Sequence, residues 1–177
     1  MSPTKPIIVA INVLAFSGPA LADNVEIYLA DMLDNIQDGY CIDIAKGKGD
    51  AANPDDGLQA HTCYGTLGEV LVDQAFDPDQ FANGVLYMPE FDVCMQAPST
   101  EPGASAELAS CDGSDAQSWV FEGTGTISPA SAPEMCLTVS GETRTGRSDE
   151  NQMIGLALLD CDPDQAAYQT WSNRTAD

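Results

Sequence analysis

The stretch CDGSDAQSW, Cys111–Trp119, runs from a cysteine through a polar turn to a Gln-x-aromatic triplet, and the chain uses that order three times. The triplets are Gln74-Ala75-Phe76, Gln117-Ser118-Trp119 and Gln169-Thr170-Trp171, and they follow Cys63, Cys111 and Cys161. An earlier cysteine opens each copy inside a short β-like run: YCIDI (40–44), VCMQA (93–97) and MCLTV (135–139). Every copy therefore reads strand with cysteine, polar loop, second cysteine, turn, triplet. Breaks of Gly, Pro, Asp and Ser separate the runs, and no segment after residue 22 sustains a 3.6-residue period. LADMLDNI (29–36) comes nearest, and it reads either as a short helical turn or as the first strand. Units that bury little alone gain a core by assembling with their copies. The pattern predicts an all-β fold, with three homologous units closed into a pseudo-three-fold assembly.

The repeat also organises the six cysteines. Pairing within units gives Cys41–Cys63, Cys94–Cys111 and Cys136–Cys161. Each bridge closes a loop of roughly 20 residues, worth on the order of 3 kcal/mol in the chain-entropy model. Zinc is the rival use of cysteine, but there is no CxxC spacing and a single histidine, so no metal is expected.

Residues 1–22 read as a signal peptide: Lys5 is the only charge, PIIVAINVLAF (6–16) is too short to span a bilayer, and Ala20-Leu21-Ala22 has the small-x-small form of a cleavage site. The alternative is a buried element of the fold. The expectation is one exported domain over 23–177, secreted or periplasmic, where disulfides persist. With 28 acidic residues, six basic ones and a formal charge of −22, the surface repels phosphate backbones and anionic lipid heads. Nucleic acid and direct membrane insertion are thereby disfavoured, and neutral ligands fit.

The order Cys-apolar-Asp, then Gln-x-aromatic-x-Cys, then Gln-x-aromatic resembles the ricin B-type (R-type) lectin domain, a β-trefoil with QxW repeats. The resemblance covers roughly residues 30–174, and the triplicated Gln-x-aromatic carries it. It implies a six-stranded barrel capped by three hairpins, with units at about 30–78, 82–122 and 125–174. It also implies that Phe76, Trp119 and Trp171 are core, and that each unit has a place for a sugar pocket.

A galactose-like ring needs a flat side chain against its C–H face, a carboxylate to accept hydroxyl hydrogen bonds, and an amide to fix orientation. The resemblance places Asp43 at the ligand carboxylate and His61 at the stacking ring, with Gln59 two residues before it. Asp73 and Gln74 match the family's Asn-Gln pair, with Asp in place of Asn. The Cys41–Cys63 clip would hold these groups together beside a loose polar loop. Each has a blander reading: Asp43 as a turn-holding carboxylate, His61 as a surface imidazole, Gln74 as a brace shared by all units. The second unit has Gln96, Glu107, Ala109 and Ala116 at the matching positions, and the third has Thr138, Ala157, Leu159 and Tyr168, so at most the first pocket is intact. The segment YGTLGEVLV (64–72) is inserted between Cys63 and the first triplet, placed to reshape or cover that pocket.

No GxSxG, HExxH or phosphate-binding glycine loop is present, and no pair of acids is singled out for glycoside hydrolysis, so an enzyme is not expected. The repeated DPDQ (77–80, 162–165) and the acids after Cys111 suggest calcium only loosely, without an EF-hand loop, and solvated turns are the plainer reading. Asn173-Arg174-Thr175 is a formal glycosylation sequon. Two functions follow. One is a carbohydrate-binding module with one site, in the first unit, for galactose or a similar neutral sugar. The other is a trefoil kept as a structural or protein-interaction module for an unknown partner. No cofactor is implied by either.

Overall fold

A computed structural model describes residues 23–176, and the signal-peptide reading of 1–22 lies outside them. The first unit contributes β1 (Val25–Leu29), β2 (Tyr40–Ile44), β3 (Leu58–Thr62) and β4 (Ala75–Phe76). The second contributes β5 (Tyr87–Met88), β6 (Val93–Gln96), β7 (Glu107–Ser110) and β8 (Trp119–Val120). In the third, β9 (Thr124–Gly125) precedes β10 (Ser128–Pro129), β11 (Met135–Thr145), β12 (Gln152–Asp160) and β13 (Trp171–Arg174). The one α-helix among the described residues is a single turn, Ala166–Gln169.

Within each unit the middle two strands form an antiparallel hairpin: β2 with β3, β6 with β7, β11 with β12. The outer strands build the barrel, through the antiparallel pairs β1–β4, β8–β10 and β1–β13. Backbone bonds from Asp77 N to Tyr87 O and from Trp119 N to Gly84 O carry the wall through the second unit. This is the closed three-unit β assembly that the repeat predicts, in the β-trefoil arrangement that the resemblance implies. The three within-unit disulfides are present, each with its Cα atoms 5.0 Å apart.

The triplet aromatics lie in the core. Trp119 and Trp171 are buried, and their indole N–H groups donate to Met95 O (2.8 Å) and Leu137 O (2.9 Å), each the residue after its unit's first cysteine. Phe76 is buried at the same position and has no N–H to place. The triplet glutamines have one duty in common. Gln74, Gln117 and Gln169 each donate from Nε2 to the carbonyl of the residue before the second cysteine, Thr62, Ser110 and Asp160. The brace reading is therefore true of all three.

The stretch 29–36 is neither of its expected forms. Leu29 ends β1, and the residues beyond it turn, with Asp31 Oδ1 accepting from Leu33 N and Leu33 at positive φ. The hydrophobic spacing there comes from Leu29 entering the core while Ile36 stands exposed. Both DPDQ segments open 3-10 turns in which the leading aspartate caps the N–H two residues on, Asp77 to Asp79 and Asp162 to Asp164. Asp112 does the same for Ser114 N. These acids are turn caps. Asn173 of the sequon donates its side-chain amide to Gly123 O at 2.7 Å.

Candidate functional site

Strand alternation builds the floor of the site. In β2, Tyr40, Ile42 and Ile44 alternate with Cys41 and Asp43, so Asp43 points away from the barrel core. In β3, Gln59 and His61 take the matching face, and the register sets Asp43 opposite Gln59 and Cys41 opposite His61. The five residues singled out by sequence are thus brought together. Asp43 is 3% exposed, and its Oδ1 accepts from Gln59 Nε2 at 2.9 Å while Oδ2 accepts from Gln74 Nε2 at 3.1 Å. A carboxylate has further lone pairs beyond two such bonds, so Asp43 retains acceptor capacity toward the cavity it lines. Gln74 thereby combines its bracing role with orientation of the site carboxylate.

Asp73 enters from the short 3-10 turn Val72–Gln74. Its Oδ2 accepts from Gly49 N at 2.8 Å, while Oδ1 is buried with no hydrogen-bond partner among the described residues. Gln74 Oε1 is likewise unpartnered. In the other units the equivalent oxygen caps the turn after the second cysteine, Gln117 to Asp112 N and Gln169 to Asp162 N. The insertion at 64–72 changes that turn in the first unit.

The insertion walls the site and leaves it open. Asp43, Gln59, His61 and Asp73 line a cavity of about 490 Å³, and Tyr64 and Leu71 of the insertion line it with them. The Tyr64 ring stacks with the His61 ring, centroids 5.8 Å apart and planes 23° apart, so the two rings form one aromatic pair on the cavity wall. Burial holds the imidazole below its ordinary pKa, which favours the neutral ring, and burial pushes the Tyr64 phenol up. Burial likewise pushes the Asp43 carboxyl up to about 7; the Gln59 and Gln74 amides oppose this and the Asp73 charge adds to it.

The third unit completes the wall, which the sequence reading did not foresee. Its hairpin strands have 11 and 9 residues against 4 and 4 in the second unit, and β12 pairs with β3 through Met153–His61 and Ile154–Ala60. Beyond a register shift between Ser140 and Arg144, β11 sets Arg144 opposite Met153. Arg144, Met153 and Asn151 all line the cavity, and Tyr64 Oη donates to Asn151 Oδ1 at 3.0 Å. The available signal was the length of the strand pattern around MCLTV and IGLALL; the pairing across units has no local signature.

The loop after β2 closes the remaining side with Lys46, Gly47, Lys48 and Gly49. Gly47 is required by contact. A Cβ there would overlap Asp73 Oδ2 and come within 2.7 Å of Ile44 O. Gly47→Ala is therefore expected to displace Asp73 and reshape the cavity, weakening a ligand held there about tenfold, or ~1.4 kcal/mol. Calorimetric titration together with a melting curve will separate this from unfolding.

The equivalent positions in the other units are built differently. Thr138, at the place of Asp43, gives its hydroxyl to Cys136 O and accepts from Gln169. Gln96 stands opposite Glu107 across β6–β7. Glu26, Cys41 and Cys63 cluster closely enough to suggest a metal, but the cysteines are bonded to one another and Glu26 is bound by Arg174 and Gly65 N.

A family profile described as a ricin-type beta-trefoil lectin domain matches residues 82–177. Among solved structures, the earthworm R-type lectin C-half in complex with GalNAc is similar at 19% identity and a TM-score of 0.56, over 87% of this chain and 99% of that one. The designed three-fold symmetric protein ThreeFoil is similar at 14% identity and 0.55, over 85% and 96%. The mdaA-1 domain is similar at 15% and 0.58, over 94% and 98%. Among curated protein sequences none matches.

Proposed function

The chain belongs to the ricin-type β-trefoil lectin family, and from that premise we propose that it binds sugar through a single site in its first unit, for galactose or a similar neutral ring. The domain class is carbohydrate-binding, and the earthworm lectin of the same fold is described with GalNAc bound. One observation carries the assignment to the first unit: Asp43, oriented by Gln59 and Gln74, lines an open cavity beside the His61–Tyr64 ring pair. Carboxylates accept hydroxyl hydrogen bonds strongly, and aromatic faces cover C–H surfaces at about 1 kcal/mol each. Three disulfides agree with an oxidising, extracytoplasmic setting, and no helix among the described residues is long and apolar enough to cross a membrane. We place the mature domain at 23–177.

The first experiment is a glycan array followed by titration of the free sugars. Binding to galactose-type glycans is expected; silence toward every glycan would favour a protein-interaction role. The affinity should also depend on pH. Sugar hydroxyls bond better to ionised Asp43, so affinity should rise as pH climbs through about 7. Stability runs the other way. The Asp43 carboxyl is raised from 3.8, so its contribution is fully present below that value and is lost as pH rises through about 7. His61, Tyr64, Asp73, Lys46, Lys48 and Arg144 face the same cavity, so the profile must be compared with that of Asp43→Asn, which should be flatter. A wild-type affinity that is constant from pH 5 to pH 8 would contradict an Asp43 acceptor.

A further inference from the structure

We infer that the rim of this site holds an anionic substituent, so that the preferred ligand is an acidic glycan bearing a carboxylate or sulfate beside the ring that occupies the floor. The inference rests on the sugar-binding reading above and deepens it.

The observation is where the cations stand. The chain has 28 acidic residues and six basic ones, and three of those six, Lys46, Lys48 and Arg144, line this cavity. They arrive from two units, the lysines on the loop after β2 and Arg144 on the far end of β11. Lys46 is held by Asp56 at 2.8 Å, while Lys48 and Arg144 have no ion-pair partner among the described residues. Nor do they neutralise the floor. The partners of Asp43 are two amides, and that of Asp73 is a backbone N–H. The cavity is therefore polarised, with an acidic floor suited to hydroxyl donors and a basic rim suited to an acid.

The register supports the reach. His61 faces Met153, and Met153 faces Arg144, so Arg144 stands two strand spacings from His61, about 10 Å at the backbone. A ring seated on His61 and Tyr64 with its hydroxyls on Asp43 would present an outward substituent within the span of a long arginine side chain. Guanidinium pairs carboxylate and sulfate through two parallel N–H bonds, and lysine adds a point charge. The general acidity of the protein repels such a ligand at long range, so the local cations act as a selective opening in that field.

The test titrates the full chain with galactose, galacturonic acid and galactose 6-sulfate by calorimetry at low and high salt. At least one acidic sugar is expected to bind about tenfold tighter than galactose at low salt, and the advantage should shrink at high salt. Whichever of the two acids gains more identifies the anion as carboxylate or sulfate. The double variant Lys48→Gln, Arg144→Gln should bring the acid-to-neutral ratio close to one. Galactose binding with no advantage for either acid overturns this inference while the sugar-binding reading stands. An advantage that survives the double variant also overturns it, and no binding of any of the three sugars overturns both.

Discussion

Asp43→Ala is expected to abolish measurable sugar binding, at a loss of roughly 2–3 kcal/mol. The two oxygens of this carboxylate are aimed by separate amides, Gln59 Nε2 and Gln74 Nε2. Removing it deletes the hydroxyl acceptor and releases both amides from the geometry that orders the floor. Calorimetric titration with the best array ligand reads the loss, and a melting curve shows whether the domain is still folded. Gln74 keeps its bond to Thr62 O in the variant, so the hairpin brace persists. The same change at the equivalent positions, Gln96→Ala or Thr138→Ala, should leave affinity unchanged. Binding retained in Asp43→Ala, or lost in Gln96→Ala, would place the pocket in another unit.

The largest stability effect is expected at Trp171. Trp171→Ala should cost about 4 kcal/mol and lower the melting temperature by about 10 °C. The side chain is fully buried between units and its indole satisfies Leu137 O, so truncation leaves both a cavity and a buried carbonyl without its donor. Trp171→Phe separates the two effects. It should cost about half as much, since Phe76 already fills the same position in the first unit without an N–H. Differential scanning calorimetry of the three proteins decides it. Equal losses for Phe and Ala would assign the cost to the hydrogen bond, and no loss for Ala would mean the triplet aromatics do not organise the barrel.

The fold was legible because it is written three times. One Gln-x-aromatic triplet says little, but three at the same place relative to paired cysteines define a unit, a disulfide pattern and a closed assembly. Part of the site was legible for a local reason. The resemblance picked out Asp43, Gln59 and His61, and strand alternation together with the β2–β3 register explains why they share one face. Tyr64 lies within the insertion expected to reshape or cover the pocket, and its ring stacks with His61 while lining the same cavity. Arg144, Asn151 and Met153 were not legible, because the polar run SGETRTGRSDEN (140–151) reads as loop and its ends become strand only by extension of a hairpin across a register shift. Their contribution depends on β12 pairing with a strand of a different unit, and no local pattern encodes that choice.

The pairing of β1 with β13 joins residues near the two ends of the described chain, and buried Glu26 is clamped by Arg174 across 148 positions of sequence. Such a contact costs loop-closure entropy before it returns any enthalpy. During synthesis β1 emerges early and must wait for β13 with its edge unpaired, so the barrel shuts only when nearly the whole domain is available. The three disulfide loops can form one after another in the meantime, each within its own unit. Maturation is thus divided into local oxidation steps and one late topological closure, and the interval before that closure is when the exposed edge of β1 is open to capture by a chaperone or by another copy of the chain.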